Sequence, residues 1–295
     1  MLPGSSPSSS TEDKLFSQKH SIQIKGRLIC LDVPKIMGIL NLTPDSFFEG
    51  SRMGGDQDRI ISAAQKMIQE GADFLDLGGY STRPGASDIS IQEEIDRVVP
   101  AVTRIRSEFP DILISVDTYR SQVAKEAVAA GADLINDISA GNLDHDMLPF
   151  VASAGIPYIA MHMKGNPQNM QSKATYSDIL TEILYYFAEK VDLFQKLGIK
   201  DVIIDPGFGL FSKTVEQNFL LLKNLRCFEV FGAPILVGIS RKSLIYKTLE
   251  TEASRALNGT TALNMFALMQ GANLLRVHDV KEAKETIKLF EQLYP

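Results

Sequence analysis

Short apolar runs alternate with longer amphipathic segments along most of the chain. The runs predict eight β-strands, over 36–40, 74–77, 112–116, 134–135, 158–160, 202–204, 235–237 and 274–277. Between the strands, apolar residues recur with helical spacing and predict helices such as those over 60–69, 94–109, 121–130, 179–197, 216–225, 262–269 and 280–293. Eight strand–helix alternations favour a closed (β/α)8 TIM barrel of the α/β class.

Two further features precede the first barrel strand. Residues 21–31 alternate apolar and polar side chains on either side of Lys25-Gly26, which predicts a β-hairpin that covers one barrel end. Residues 1–10 are rich in Pro, Ser and Gly and lack the basic start and apolar core of a secretory signal. We therefore expect a disordered tail over 1–20 and a single barrel domain over 21–295.

The two ends of the predicted strands differ in composition. Gly71-Ala72-Asp73, Gly131-Ala132-Asp133 and Gly271-Ala272-Asn273 each end a helix and begin a strand, and we assign their Asp and Asn residues no catalytic role. Polar or otherwise special residues follow every strand at its other end, and they include Asn41, Gly78, Asp117, Asn136, Met161, Asp205, Gly238 and Arg276. In barrels of this kind the active site lies at the carboxyl ends of the strands. The pattern therefore predicts an active site there.

Composition narrows the class of partner. The 295 residues are 44% hydrophobic and 22% charged, which is typical of a globular protein with a sizeable core. A net charge of −6 argues against nucleic acid or an anionic membrane as the principal partner, so small molecules are expected. Cys30 and Cys227 lie in unrelated contexts, which indicates neither a disulfide framework nor a zinc site and suits a reducing cytoplasm.

Four of the strand-end residues suit the hydrogen-bonding edge of a flat heterocycle. Asp117 and Asp205 offer carboxylates that accept paired N–H bonds from a 2-amino-pyrimidinone, while Asn136 and Lys242 satisfy the other ring nitrogens and the carbonyl. Each assignment has an alternative. Asp205 precedes Pro206-Gly207 and equally suits a turn carboxylate, and Lys242 is compatible with either a Schiff base or simple anion or carbonyl binding.

An anion and a hard cation are the other ligands that the strand ends suit. Arg276 and His278 lie two residues apart and together are suited to hold phosphate, although His278 beside Asp279 also suits helix capping. Asn41, followed by Asp45, offers oxygen atoms to Mg²⁺, which takes few protein ligands. His162 is either a base or a packed, hydrogen-bonded residue.

The strand-end motifs together resemble those of dihydropteroate synthase, the sulfonamide target of the folate pathway. The resemblance covers roughly residues 22–293 and rests on the motifs that begin at Met37, Ser81, Ser115, Ile135, Met161, Asp205 and Ser240. It implies a TIM barrel that condenses 6-hydroxymethyl-7,8-dihydropterin pyrophosphate with p-aminobenzoate and releases pyrophosphate by dissociative substitution. It also implies a cytoplasmic homodimer that uses Mg²⁺.

The resemblance assigns roles to the matching residues. Catalytic roles fall on Asn41, Asp45, Asp117, Asp205, Lys242 and Arg276. Pterin contacts fall on Asp117, Asn136, Met161 or Met163, Asp205, Gly238 and Lys242. The residues that would bind pyrophosphate are Asn41, Arg276 and His278, and Asn41 would also bind the metal. The residues that would bind p-aminobenzoate are Thr82, Arg83, Pro84, Phe208, Leu210, Phe211, Lys242 and Ser243.

The chain departs from the family pattern in two loops, and two other functions compete. Glu49 stands where Asp is expected, and 207–213 has one residue more than the usual pattern, which leaves open whether Leu210 or Phe211 faces p-aminobenzoate. A methyltetrahydrofolate-binding methyltransferase barrel would share the pterin acceptors but use a corrinoid partner. A non-catalytic pterin-binding barrel would retain the fold alone, and the complete set of site residues argues against it.

Overall fold

A parallel β-barrel follows a small antiparallel hairpin in the computed structural model, which describes residues 21–42, 55–80, 89–165, 175–209 and 213–294. The hairpin pairs β1 (Ser21–Ile24) with β2 (Arg27–Cys30). Lys25 and Gly26 form its turn with φ of 47° and 79°, the positive values that two-residue hairpin turns require. The predicted hairpin is confirmed, and the predicted tail over 1–20 lies outside the described residues.

The barrel strands are short and parallel. They are β3 (Lys35–Asn41), β4 (Phe74–Gly78), β5 (Leu113–Asp117), β6 (Leu134–Asp137), β7 (Tyr158–Met161), β8 (Val202–Asp205), β9 (Leu236–Val237) and β10 (Leu274–Val277). Over the described residues these eight strands form one sheet in the order β8-β7-β6-β5-β4-β3-β10-β9. A parallel bridge between Ile204 and Ile235 joins its two edges. The predicted closed barrel is therefore confirmed.

Helices follow the barrel strands and cover the sheet. They are α1 (Gly55–Glu70), α2 (Ile91–Glu108), α3 (Ser121–Ala129), α4 (Met147–Ala154), α5 (Ile179–Leu197), α6 (Val215–Lys223), α7 (Ser243–Thr248), α8 (Leu257–Met269) and α9 (Val280–Leu293). Short 3₁₀ segments occupy Leu225–Phe231 and Ala253–Arg255. None of the described helices is both long and apolar enough to cross a bilayer.

Helix α5 illustrates how the sequence fixes a helix and its buried face. The Asp178 side chain accepts hydrogen bonds from the N–H groups of Leu180 and Thr181 and so caps the first turn. Gly198 ends the helix in the left-handed conformation, with φ of 79°. Between these caps, the apolar side chains at helical spacing include Phe187 and Phe194, which are buried against the sheet.

The structure contains two helices, α4 and α7, that the apolar spacing does not predict. The α4 segment is apolar on nearly every side and contains Pro149 in its first turn, so it shows no amphipathic repeat. The α7 segment is too short for a repeat to develop. The predicted strands agree with the structure to within a few residues at each end, and so do the helices that the spacing does predict.

The repeated Gly-Ala-Asp turn makes the same contacts at three places. Its glycines have positive φ, and its Asp or Asn side chain accepts the N–H at the start of the neighbouring strand segment: Asp73 from Ile36, Asp133 from Ile114 and Asn273 from Ile235. These side chains are thus part of the strand ladder at the amino end of the barrel, which is the structural role predicted for them.

The hairpin closes this amino end. Ile22, Ile24 and Leu31 are buried in a cluster with interior barrel residues such as Phe74 and Leu134. A second, larger cluster fills the space between the sheet and the helices. With one end of the barrel covered by apolar side chains, polar chemistry is confined to the other end.

Candidate active site

Side-chain alternation places a polar layer directly above the apolar layer of the barrel interior. Phe74, Leu134, Ile203 and Leu274 belong to the apolar interior cluster. Residues two positions further along a strand face the same side. The next positions are Asp76, Asn136, Asp205 and Arg276, which therefore project into the interior toward the carboxyl ends of the strands.

Arg276 is the centre of this layer. Its Nε donates to Oδ2 of Asp76 at 2.6 Å, and its Nη2 donates to Oδ2 of Asp117 at 2.7 Å. Asn136 Nδ2 also donates to Oδ2 of Asp76, at 3.0 Å. One cation therefore joins two carboxylates on different strands, and an amide completes the network.

The charges of this network act on each other strongly because little water reaches them. Burial by itself would lower the pKa of Arg276, but the negative charges of Asp76 and Asp117 raise it. Burial raises the pKa of Asp117 to about 7, while the positive charge of Arg276 acts in the opposite direction. Asp117 thus lies close to a change of protonation state at neutral pH.

Asp76 is a site residue that sequence reasoning missed. Its side chain is fully buried, and its Oδ1 has no hydrogen-bond partner among the described residues. Ser115, its register partner on β5, also has a buried hydroxyl without a partner within the described part of the chain. The signal in the sequence was a single carboxylate inside the apolar run Phe74-Leu75-Asp76-Leu77, because a buried charge needs a partner.

The turn after β8 brings Asp205 and Lys242 to the same end of the barrel. Asp205 Oδ1 accepts the N–H of Gly207 at 2.7 Å, so the turn role considered for Asp205 is present. Lys242 Nζ donates to the carbonyl of Phe208 at 2.6 Å. Burial raises the pKa of Asp205, whereas the nearby Lys242 lowers it, and burial lowers the pKa of Lys242 to about 8.

The segment between β9 and α7 surrounds the network from another side. An ideal Cβ on Gly238 would lie 3.7 Å from Arg276 Cβ and 3.8 Å from Lys242 Nζ, so this glycine lies beside the Arg276 and Lys242 side chains. Arg241 forms two bonds to Asp279, which engages its guanidinium away from the network. Ser243 begins α7 immediately after Lys242.

His278 and His162 occupy different surroundings. His278 is exposed, and its Nδ1 lies 3.1 Å from the hydroxyl of Ser240, so its ring is held by that hydroxyl. His162 is buried, stacks edge-on against Tyr186 and lies with Nδ1 3.2 Å from Lys213 Nζ. Burial holds the pKa of His162 well below its usual value, in keeping with a packed residue.

The remaining predicted residues divide between described and undescribed parts of the chain. Met163 and Phe208 are buried, whereas Asn41 and Met161 are half-buried at strand ends. Outside the described residues lie Asp45, Thr82, Arg83, Pro84, Leu210 and Phe211.

Comparison with known proteins identifies the family. The pterin binding enzyme family matches residues 37–278. Dihydropteroate synthase of Escherichia coli strain K12 is 42% identical over 283 residues, which cover 94% of this chain and 95% of the relative. The chain belongs to the dihydropteroate synthase family. The predicted family, its transferase class and its function in folate synthesis are thereby confirmed.

Solved structures of the family share the barrel. The Yersinia pestis dihydropteroate synthase, in complex with a sulfonamide drug, is 40% identical with a TM-score of 0.86 over 92% of this chain and 98% of its own. The Xanthomonas albilineans dihydropteroate synthase with 4-aminobenzoic acid is 35% identical, with a TM-score of 0.85 over 94% of this chain and 100% of its own.

Proposed function

We propose that the carboxyl end of the barrel condenses 6-hydroxymethyl-7,8-dihydropterin pyrophosphate with p-aminobenzoate. The observation that carries this proposal is the buried layer in which Arg276 joins Asp76 and Asp117, with Asp205 and Lys242 beside it. Ligands named for relatives agree with both halves of the reaction, since one relative binds 4-aminobenzoic acid and another a sulfonamide drug.

The pterin ring is assigned to the acceptors and donors of the buried layer. Asp117 and Asp205 accept the ring N–H groups, and Asn136 and Lys242 contact the remaining ring atoms. Met161 or Met163 packs on the ring, and Gly238 leaves room for it beside Arg276. Asp76 joins this set, because its unpartnered Oδ1 is an acceptor at the same depth.

Pyrophosphate is assigned to the outer rim of the same layer. Arg276 donates to the two carboxylates through Nε and Nη2, and we assign its Nη1 to the anion together with Asn41 and His278. An ideal Cβ on Gly78 would lie 3.9 Å from Asn41 Oδ1 and 4.0 Å from Asp117 Oδ2, so two oxygen atoms flank this glycine. The Asn41 oxygen is a ligand of the kind that suits Mg²⁺, which keeps several waters and binds phosphates.

The donor set thus fits the Mg²⁺ that the family implies. Asn41 would hold the ion together with the substrate phosphates. A bound Mg²⁺ would supply charge neutralisation for the pyrophosphate leaving group. The chain's own residues orient the pterin methylene and, through their carboxylates, stabilise positive charge on the ring.

The family resemblance assigns p-aminobenzoate to residues from several strand ends and loops. Phe208, Lys242 and Ser243 contribute from the described residues, and Thr82, Arg83, Pro84, Leu210 and Phe211 contribute from the loops outside them. The carbon–oxygen bond to pyrophosphate breaks ahead of attack by the neutral aniline nitrogen, which forms the new carbon–nitrogen bond and releases a proton. Asp45 is retained among the catalytic residues on the family pattern.

Two variants test the division of labour. Asp205→Asn removes a charged acceptor and should weaken binding of a pterin without pyrophosphate by about 10-fold or more. Arg276→Ala should chiefly weaken binding of pyrophosphate and of the pyrophosphorylated pterin. Calorimetric titration of both variants with each ligand measures this, with thermal unfolding as a check on folding. Equal losses for the pterin alone would contradict the assignment.

Assembly and location complete the proposal. Leu289 and Leu293 on α9 are more than half exposed, as is Tyr294, and this apolar surface supports a homodimer that forms through barrel helices. The two free cysteines are exposed, which suits the reducing cytoplasm. Light scattering on the purified chain at several concentrations would test the dimer, and a monomer at all of them would exclude it.

A further inference from the structure

Three successive carbonyl groups after Asp205 are each held by a different side chain. Lys213 Nζ donates to Gly207 O at 2.6 Å, Lys242 Nζ to Phe208 O at 2.6 Å, and Asn218 Nδ2 to Gly209 O at 3.2 Å. The first of these donors has no role in the proposed reaction. Its position therefore needs an explanation of its own.

Lys213 is buried far more deeply than a lysine usually is. Only 1% of it is exposed, and its amino group lies between Gly207 O and His162 Nδ1, at 2.6 Å and 3.2 Å. Burial lowers its pKa to about 7, while the negative charge of Asp205 acts to raise it. Burying an amine in this way is costly unless the group makes specific contacts.

Both partners of Lys213 hold Asp205. Gly207 N–H donates to the Asp205 carboxylate at 2.7 Å, and His162 N–H donates to the Asp205 backbone carbonyl at 2.9 Å. The turn leaves no space for a side chain at Gly207, because an ideal Cβ on this residue would lie 2.1 Å from His162 O. Lys213 thus contacts the two residues that fix the side chain and the backbone of Asp205.

Lys242 also donates to a carbonyl of this turn, but it cannot hold the turn in place throughout the reaction. It belongs to the set that contacts the pterin, so a bound ring competes with Phe208 O for its amino group. Lys213 lies in the protein interior, and its two partners, Gly207 and His162, are not among the residues assigned to either substrate.

We propose that Lys213 is a positioning residue for pterin binding, which aims the Asp205 carboxylate by holding Gly207 and His162. This inference rests on the proposed role of Asp205. It assigns Lys213 no contact with either substrate.

A double-mutant cycle on pterin affinity tests the inference. Lys213→Met keeps the length of the side chain and removes its donors, and Lys223→Met, on an exposed position of α6, is the matched control. Calorimetry with 6-hydroxymethyl-7,8-dihydropterin pyrophosphate should show that Lys213→Met raises Kd by about 10-fold. The control should bind like the wild type. In the Asp205→Asn background, Lys213→Met should raise Kd by no more than about 2-fold, because residues that act through one contact are not additive.

Each outcome of the double-mutant cycle either supports or overturns the inference. Wild-type affinity in folded Lys213→Met overturns the inference and leaves the role of Asp205 intact. Losses that multiply in the double variant also overturn it, since Lys213 would then act by another route. Wild-type affinity in Asp205→Asn removes the proposed role of Asp205 and the inference with it. If Lys213→Met does not fold, Lys213→Leu, which also removes the donors, takes its place in the same cycle, and unchanged affinity there overturns the inference.

Discussion

Removing Arg276 should leave one fully buried carboxylate, Asp76, and one half-buried carboxylate, Asp117, without their cation. In Arg276→Met, the Oδ2 atoms of Asp76 and Asp117 lose bonds of 2.6 Å and 2.7 Å, and Asp76 is fully buried. Breaking a buried pair by removing one partner costs about 3–5 kcal/mol. With an unfolding entropy of about 2.1 cal/mol/K per residue, a chain of this length should lose roughly 5–8 °C in Tm.

The pH dependence of that loss identifies its cause. A carboxyl group whose pKa is raised in the folded state binds more protons there than in the unfolded state, so the stability that it permits falls as pH rises. Below about pH 7 the carboxyl group of Asp117 is protonated in both folded proteins, so the difference in stability between Arg276→Met and the wild type should stay constant. Above about pH 7 the wild-type Asp117 ionises beside Arg276, and the difference should widen by up to about 1.4 kcal/mol per pH unit.

Denaturant unfolding at several pH values, followed by circular dichroism, measures both effects. Arg104→Met is the control, because Arg104 pairs with Asp58 on the surface and its loss should change stability by no more than about 1 kcal/mol. Adding Asp76→Asn to Arg276→Met should recover part of the stability. A gap that does not change with pH, or a control that loses as much as Arg276→Met, would refute the reasoning.

Two further predictions concern the turn after Asp205 and the titration of Asp117. Gly207→Ala should cost about 2–5 kcal/mol in denaturant unfolding, because its Cβ would overlap His162 O at a φ of 79°. Gly232→Ala has a φ of 61° with no atom within 4 Å of the new Cβ and should cost only about 1–2 kcal/mol, so equal costs would exclude the steric explanation. Because burial raises the pKa of Asp117 from 3.8 to about 7, wild-type stability should fall as pH rises through that window. Asp117→Asn should flatten the profile, and an unchanged slope would place the titration elsewhere.

The barrel was predictable because its signals are local and repeated. Each Gly-Ala-Asp or Gly-Ala-Asn turn combines a glycine at positive φ with a side chain that accepts an N–H group of the preceding strand segment, and the motif recurs with that geometry. Apolar strands and amphipathic helices supplied the rest. Helix α4 was not predicted, because its residues are apolar on nearly all sides and so show no helical periodicity.

The site was predictable only where a polar residue lies at or next to the end of a strand. Asp117 and Asp205 end their strands and Asn136 is the last residue but one, whereas Asp76 lies two residues before the end of β4, inside an apolar run. Its partner Arg276 is 200 residues away in the chain, and no local pattern records that distance. Lys213 was missed for a similar reason, since the glycine carbonyl and histidine that it contacts come together only when the strands close.

The most direct test of the central proposal is product formation by the purified chain. We would mix it with 6-hydroxymethyl-7,8-dihydropterin pyrophosphate, p-aminobenzoate and Mg²⁺, and quantify dihydropteroate and pyrophosphate. We predict that both products form in equal amounts and that folded Asp205→Asn forms them far more slowly. A folded wild-type chain that binds the pterin pyrophosphate yet forms no dihydropteroate would contradict the proposal.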